Sequence, residues 1–256
     1  MNRKLVLTAL CCLPLLASAE EAAEQSPFTS SAELGMLYKT GNTKSADIKT
    51  GFDIKYEQAL WRSTFAFDLL IKKTEQENDL GKDIFETTDE KWTLESKTNY
   101  TLDPKSKNYI YGDVAYENNR FSSYENQSSI STGWGREWYK TEKSSLFADI
   151  GPGYKREVTK ATDTVASETN SAFIIQAQAI YLRKINEHVE FKQKLSVKYA
   201  PESGENSKYK AESSITTKLI ETLQLKFSFL VDHNTEVEQG QDNTDTQTAV
   251  TVVYSF

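Results

Sequence analysis

Hydrophobic and polar residues alternate along almost the entire chain. The pattern is clearest near the carboxyl end, where Leu223, Leu225, Phe227, Phe229 and Val231 are separated by single residues that are mostly polar. Because successive side chains of a β-strand point to opposite faces, a period of two predicts strands with one apolar face each. The sequence therefore predicts an all-β protein.

Twelve such segments can be marked along the chain. Each is close to the roughly 9–11 residues that a tilted strand needs to cross a lipid bilayer. The last segment alternates strictly and ends on an aromatic residue, as expected of a strand whose apolar face meets lipid. The predicted strands are 31–39, 46–57, 60–72, 91–102, 109–117, 129–139, 145–155, 172–184, 188–199, 208–219, 222–232 and 247–256.

The connections between these segments alternate in length. Short links at 58–59, 103–106, 140–143, 185–188 and 220–221 alternate with long polar links at 73–90, 118–127, 156–170, 201–207 and 233–246, and a tight Gly-Asn turn at 40–44 joins the first two segments. Outer-membrane barrels have an even strand number, short periplasmic turns and longer external loops. A soluble β-sandwich has no reason to show this parity. We therefore predict a transmembrane antiparallel β-barrel of about twelve strands, with both termini periplasmic.

The amino terminus has the features of a secretory leader. Arg3 and Lys4 precede an apolar run, and Ala17-Ser18-Ala19 forms a small-residue cleavage site. We predict a signal peptide at 1–19 and a single barrel domain at 20–256. Both cysteines, Cys11 and Cys12, fall inside the leader, so the mature chain has no thiol chemistry. Loss of the two leader cations takes the net charge from −7 to −9, which argues against a nucleic-acid partner.

The chain also resembles a known family. The leader, the Gly41-Asn42-Thr43 turn, the tyrosine-rich strands, the Gly133-Trp-Gly135 segment and the terminal aromatic strand are similar to those of the YdiY-type salt-induced outer-membrane proteins, a domain of unknown function. The resemblance implies an outer-membrane location and a barrel, and it supplies no established activity and no catalytic residues to carry over. We expect the barrel to contact the lipid bilayer and lipopolysaccharide. Tyr254 and Phe256 resemble the terminal signal that the outer-membrane barrel assembly machinery recognises.

Charged residues occupy the other face of the strands. Strands nine to eleven carry a group of inward lysines, here called the lysine wall: Lys192, Lys194, Lys198, Lys208, Lys210, Lys218 and Lys226. The inward face of strands one to five is rich in acidic residues. Two interpretations follow. The lumen is either a narrow pore whose lysines favour anions among small polar solutes, or an interior closed by interlocking ion pairs, as in a structural envelope protein of a salt-response type.

Two other classes of protein remain open. A membrane-embedded lipid hydrolase would need a nucleophile and a base, but the only histidines, His188 and His233, lie in predicted links without a Gly-x-Ser-x-Gly elbow. A soluble periplasmic barrel that binds a ligand would need its apolar faces covered by protein. We expect no enzymatic activity and no cofactor. We also expect no metal site, because the acidic links lack calcium-loop spacing. Arg136 is a misfit on the apolar face, explained either by a position near a rim or by a bulge at Gly133 and Gly135.

Overall fold

A computed structural model shows the chain as one closed β-barrel. It describes residues 26–39, 45–77, 83–102, 107–120, 122–161, 166–237 and 242–256, so the predicted leader lies outside the described residues. Each strand pairs antiparallel with its sequence neighbours, and the first pairs with the last. The strands are β1 (Phe28–Lys39), β2 (Ser45–Gln58), β3 (Trp61–Glu77), β4 (Asp83–Thr101), β5 (Asn108–Asn119), β6 (Tyr124–Lys140), β7 (Ser144–Thr159), β8 (Thr169–Lys184), β9 (Val189–Tyr199), β10 (Lys208–Lys218), β11 (Leu223–Asn234) and β12 (Thr244–Ser255).

The twelve predicted strands are confirmed, but the lengths of several links were wrong. The segment 73–90 is mostly strand, because β3 continues to Glu77 and β4 begins at Asp83, which leaves 78–82 as the connection. The link predicted at 118–127 shortens in the same way to 120–123. Where a strand extends past the apolar outer surface of the barrel, both of its faces can be polar. The alternation of apolar and polar residues is then lost although backbone pairing continues.

The barrel has two rims, at which the strands are connected. The rim with the links 59–60, 102–107, 141–143, 185–188 and 219–222 is called the near rim, and the opposite one the far rim.

The apolar faces of the strands point away from the barrel interior. Val250, Val252 and Tyr254 on β12 and Phe227 and Phe229 on β11 are all exposed. A soluble monomer rarely leaves a contiguous apolar surface of this kind uncovered. Aromatic pairs lie on this face near the near rim, such as Trp61 with Tyr100 at 4.7 Å between ring centroids. Within the described ranges, no segment forms an apolar helix of membrane-crossing length.

Strands β6 and β7 approach unusually closely at two glycines. A Cβ on Gly133 would lie 2.3 Å from the Ile150 carbonyl oxygen, and one on Gly151 would lie 2.0 Å from the Thr132 carbonyl oxygen. Only glycine can occupy such positions without moving the backbone. The register is the same on both sides of this contact, so the glycines do not shift the phase of β6.

Arg136 consequently keeps its position on the outer face. Its guanidinium carbon lies 5.8 Å from the Trp138 ring centroid, and β6 ends at Lys140. The two register irregularities of β6 against β7 lie between Tyr124 and Asn126 and between Glu137 and Tyr139, so neither falls between the glycines and Arg136. The rim explanation for this residue is therefore the correct one, since a long side chain at a rim can extend its charge towards water.

The junction between β1 and β12 is the shortest in the barrel. Its paired residues run only from Ser31 with Ser255 to Leu34 with Val252, whereas β1 pairs with β2 along its full length. Two backbone hydrogen bonds extend the junction towards the near rim, from Ser30 N to Phe256 O at 3.0 Å and from Phe256 N to Ser30 O at 2.9 Å. We call this junction the seam.

Candidate functional site

The interior of the barrel is crossed by ion pairs. Lys194 on β9 lies 2.9 Å from a Glu95 carboxylate oxygen on β4, and these strands are far apart in the sheet. Lys208 and Lys210 on β10 reach Glu117 on β5 at 2.8 and 2.7 Å. Because the strands of each pair lie almost opposite in a closed twelve-stranded sheet, these contacts must span the lumen. The barrel is therefore flattened, and the bridges between β4–β5 and β9–β10 divide its interior into two sectors.

The bridge nearest the far rim is a cluster of five charges. Lys91 contacts both Glu117 and Asp232 at 3.1 Å, and Lys210 lies 3.4 Å from the same Asp232 oxygen. Lys208 completes the cluster at 3.6 Å from Asp232. Three ammonium groups therefore share two carboxylates, with Asp232 almost fully buried. Each carboxylate holds lysines from two different strands, so the cluster joins β4, β5, β10 and β11.

The sector formed by β6, β7 and β8 is packed with side chains. Its central contact joins Lys97 on β4 to Asp149 on β7, with Nζ 2.7 Å from Oδ2. Lys97 also donates to Gln178 at 2.7 Å and lies 4.5 Å from the Tyr111 ring centroid, while the Tyr109 hydroxyl donates to Asp149 at 3.1 Å. All five side chains are buried. We call this half of the lumen the packed sector.

Gly135 is needed for this arrangement. A Cβ at Gly135 would lie 2.3 Å from ring atoms of Tyr109, so the tyrosine ring occupies the space that any other side chain would fill. Sequence reasoning noticed Gly133-Trp-Gly135 but missed Tyr109, Tyr111 and Asp149. The alternation of β5 could have found the two tyrosines, since they share the inward phase with Asp113.

The 200–207 connection covers the packed sector at the far rim. Lys155 on β7 pairs with Glu157 and lies 3.3 Å from Glu205. Asn206 is buried, and its amide donates to Glu157 at 2.9 Å and to Asn234 at 3.0 Å. These bonds hold the connection over strands that are not its sequence neighbours. Passage through this half of the lumen is therefore obstructed both inside and at its mouth.

The opposite sector, formed by β1–β3 and β10–β12, is called the open sector. Lys55 and Asp68 face the lumen there and are exposed, as is Lys192 on the adjoining strand β9. Gly51 contributes space, because a Cβ there would lie 3.2 Å from Asp68 and 3.5 Å from Glu33. Since these charged groups remain accessible to solvent, water can enter this side of the barrel.

The lysines of the predicted lysine wall differ in whether they form ion pairs. All seven residues lie on the inward phase of β9, β10 and β11, but most are neutralised. Lys194, Lys208 and Lys210 form the bridges, Lys226 lies 2.8 Å from Glu33, and Lys198 donates to Ser129 at 2.7 Å. No described acidic side chain lies within ion-pair distance of Lys192, Lys198 or Lys218. Lys198 is half-buried against Ser129 and Lys218 is the last residue of β10, so Lys192 is the wall residue that is exposed deeper in the lumen without a carboxylate partner among the described residues.

The two residues of the predicted assembly signal lie together. Tyr254 and Phe256 are exposed on the outer side, and their rings stack with centroids 5.7 Å apart. The backbone of Phe256 closes the seam through its two hydrogen bonds with Ser30. The terminal aromatic residue thus belongs both to the outer apolar surface and to the closure of the sheet.

The two histidines lie at opposite rims of the barrel. The Nδ1 atom of His233 lies 2.8 Å from the Thr244 hydroxyl, and the His188 amide donates to Asn186 at 2.8 Å in a turn. In the part of the chain that the structure describes, no group of three or more histidine, cysteine or acidic residues is placed to hold a metal ion.

Comparisons with known proteins identify the family to which this chain is similar. A family model described as "Protein of unknown function, DUF481" matches residues 32–256. The uncharacterized protein YdiY of Escherichia coli (strain K12) is 25% identical over 238 residues, covering 93% of this chain and 86% of the relative. The resemblance expected from the sequence is therefore confirmed.

Solved structures with a similar shape have very different sequences. The COG4313 outer membrane channel from Pseudomonas putida F1 gives a TM-score of 0.49 at 10% identity, covering 94% of this chain and 100% of that chain. The translocator domain of the autotransporter NalP from Neisseria meningitidis gives a TM-score of 0.47 at 11% identity, covering 90% of this chain and 88% of that one. The NanC porin gives a TM-score of 0.46 at 10% identity, covering 89% of this chain and 98% of that chain.

Proposed function

The chain belongs to the DUF481 family of unknown function, and we propose that it is an integral outer-membrane channel for small polar or charged solutes. Closure of the sheet satisfies the backbone hydrogen bonds of the strands without water, which is the requirement for a β-structure that spans lipid. The apolar outer surface supplies the lipid-facing side. The three longest links between strands, 160–168, 200–207 and 235–243, all lie at the far rim. Longer external loops are typical of outer-membrane barrels, which favours a periplasmic near rim with both termini on that side.

The exposure of Lys55, Asp68 and Lys192 is the observation that carries the channel proposal. In a barrel closed throughout by ion pairs, all inward charges would be buried and paired. Here the packed sector has that character, whereas the open sector keeps accessible charges of both signs. The solute path therefore runs off-centre, along β1–β3 and β10–β12.

The lining of this path limits the class of solute. Lys192 and Asp53 both contribute charge to this side of the lumen, so groups of both signs line the path. Lys226 and Glu33 pair on the same side at 2.8 Å and leave little net field. We therefore expect small ions and zwitterionic solutes to pass, with a weak anion preference set by Lys192. Low-dielectric walls around a narrow path strengthen the field of such a charge.

Single-channel recording under a salt gradient tests this function. The purified wild type should give reproducible steps, and Lys192→Glu should move the reversal potential towards cations. Arg136→Glu is the matched control, because it reverses one charge on the outer face of β6, beside Trp138. Selectivity that is unchanged by Lys192→Glu would overturn the proposed path. The effect should weaken as the screening length falls from ~10 Å at 0.1 M to ~3 Å at 1 M salt.

A structural envelope protein is the second candidate, favoured by the cross-lumen bridges. It predicts no conductance from protein that is shown to be folded by heat-modifiable migration. Substitution of Glu117 and Asp232 together by alanine should then open a conductance, because it removes both carboxylates of the far-rim cluster. Conductance in the unaltered protein would exclude this candidate.

A further inference from the structure

Three residues form a polar row on the outer face near the far rim. Ser128 on β6 pairs in register with Arg156 on β7, which pairs with Ser171 on β8. Arg156 and Ser171 are exposed, and Ser128 is half-buried. The arginine thus lies between two hydroxyl-bearing neighbours, one on each side, on the surface assigned above to lipid.

The next outward row is apolar. Ile130, Tyr154 and Phe173 follow in the same register, directly below Ser128, Arg156 and Ser171. A row further down, Gly112 pairs with Thr132, and the small size of these residues leaves a groove of about 440 Å³. Its lining includes Gly112, Val114, Ile130, Tyr154 and Phe173. The groove is therefore an apolar hollow that begins within one or two residue rows of the arginine.

Arg156 has no protein counter-ion in the part of the chain that the structure describes. Arginine facing hydrocarbon is costly unless its charge reaches the interface and finds an anionic partner. A phosphate group satisfies a guanidinium through two parallel, charge-assisted hydrogen bonds. The Ser171 hydroxyl lies beside Arg156 in the same row, whereas the Ser128 hydroxyl donates to the Arg156 carbonyl oxygen at 3.4 Å.

We propose that this face binds one molecule of lipopolysaccharide, with a lipid A phosphate on Arg156 and an acyl chain in the groove. The inference rests on the outer-membrane location and orientation proposed above, which place the far rim in the outer leaflet. A strand rises about 3.3 Å per residue, so the outward row at Tyr154, two residues from Arg156, lies roughly 7 Å below it, where the groove starts. A lipid with a phosphate close to the start of its acyl chains fits this separation.

Two substitutions remove the two halves of the site independently. Arg156→Glu replaces the phosphate contact by a repulsive charge. Gly112→Phe fills the groove, and the position tolerates a side chain because a Cβ there meets nothing within 4 Å. Arg136→Glu is the matched control, since Arg136 is also an outward arginine of this barrel but lies towards the near rim beside Trp138.

Native mass spectrometry of the purified protein, titrated with deep-rough lipopolysaccharide, measures the binding. We expect one molecule per wild-type barrel, at least tenfold weaker binding by Arg156→Glu and by Gly112→Phe, and wild-type binding by Arg136→Glu. Phosphatidylglycerol should bind at least tenfold more weakly than lipopolysaccharide. Unchanged binding by both site variants, or equal affinity for phosphatidylglycerol, would overturn the proposal. Channel recordings on the same preparations report on the proposed function separately, because the site lies outside the lumen.

Discussion

Lys97 on β4 and Asp149 on β7 are joined across the barrel interior, with Nζ 2.8 and 2.7 Å from the two carboxylate oxygens. Their side chains are only 8% and 5% exposed. The pair holds together strands that share no backbone hydrogen bonds. It also fixes the position of Tyr109, whose hydroxyl donates to the same carboxylate.

Substitution Lys97→Met should destabilise the barrel by about 3–5 kcal/mol, because it leaves the Asp149 charge buried without its partner. The double variant Lys97→Met with Asp149→Asn should recover most of this loss, since both charges are then removed. Denaturant unfolding of the refolded protein in detergent measures the change. Lys218→Met, at the exposed end of β10, is the control. Equal stability of Lys97→Met and the control would show that the pair does not contribute.

Gly133→Ala should destabilise the barrel far more than Gly112→Ala. The new methyl group at Gly133 would lie 2.3 Å from a backbone oxygen of β7, whereas at Gly112 it would meet nothing within 4 Å. Both substitutions add the same atoms to neighbouring strands of the sheet, so strand propensity cancels in the comparison. The temperature at which the folded band converts to the unfolded band on a gel provides the measurement. Similar temperatures for the two variants would contradict the close approach of β6 and β7.

Phe256→Asp should block insertion into the outer membrane. A charge would replace the ring that stacks on Tyr254 at the end of the apolar outer surface and beside the seam. The amount of folded protein in the outer-membrane fraction measures the effect, with Ser255→Asp as a neighbour on the opposite phase of β12. Normal membrane levels of Phe256→Asp would count against a targeting role for this residue.

Protease-accessible tags test the orientation. Tags at 78–82, 162–165 or 238–241 should be cleaved on intact cells, whereas tags at 103–106 or 141–143 should be protected until the outer membrane is broken. The first site is narrower than the sequence alone would give, because the flanks of 73–90 are paired strands. Cleavage at both sets of sites would show that the strand count or the orientation is wrong.

The sequence predicted the strands well because the membrane-type alternation is a local signal. It placed Lys194 and Glu95 on the inward phase, and both face the lumen. It could not predict that they touch, because that contact depends on how far the closed sheet is flattened. Contacts between distant strands, such as that between Lys97 and Asp149, are set by the shape of the whole barrel. The length of β3 was also missed, since its end is polar on both faces.

The seam is the junction at which the barrel is held by the fewest pairs of residues between neighbouring strands. Strand edges are templates for pairing with another strand, and those of β1 and β12 hold each other through only the stretch from Ser31 to Leu34 and the bonds to Phe256. We expect the amide hydrogens of this stretch to exchange with solvent before those of any other inter-strand junction, because the least-bonded region opens first. During biogenesis, β1 and β12 would be the last strands to pair. In the mature protein, the barrel would open sideways towards the lipid by separation of these two strands.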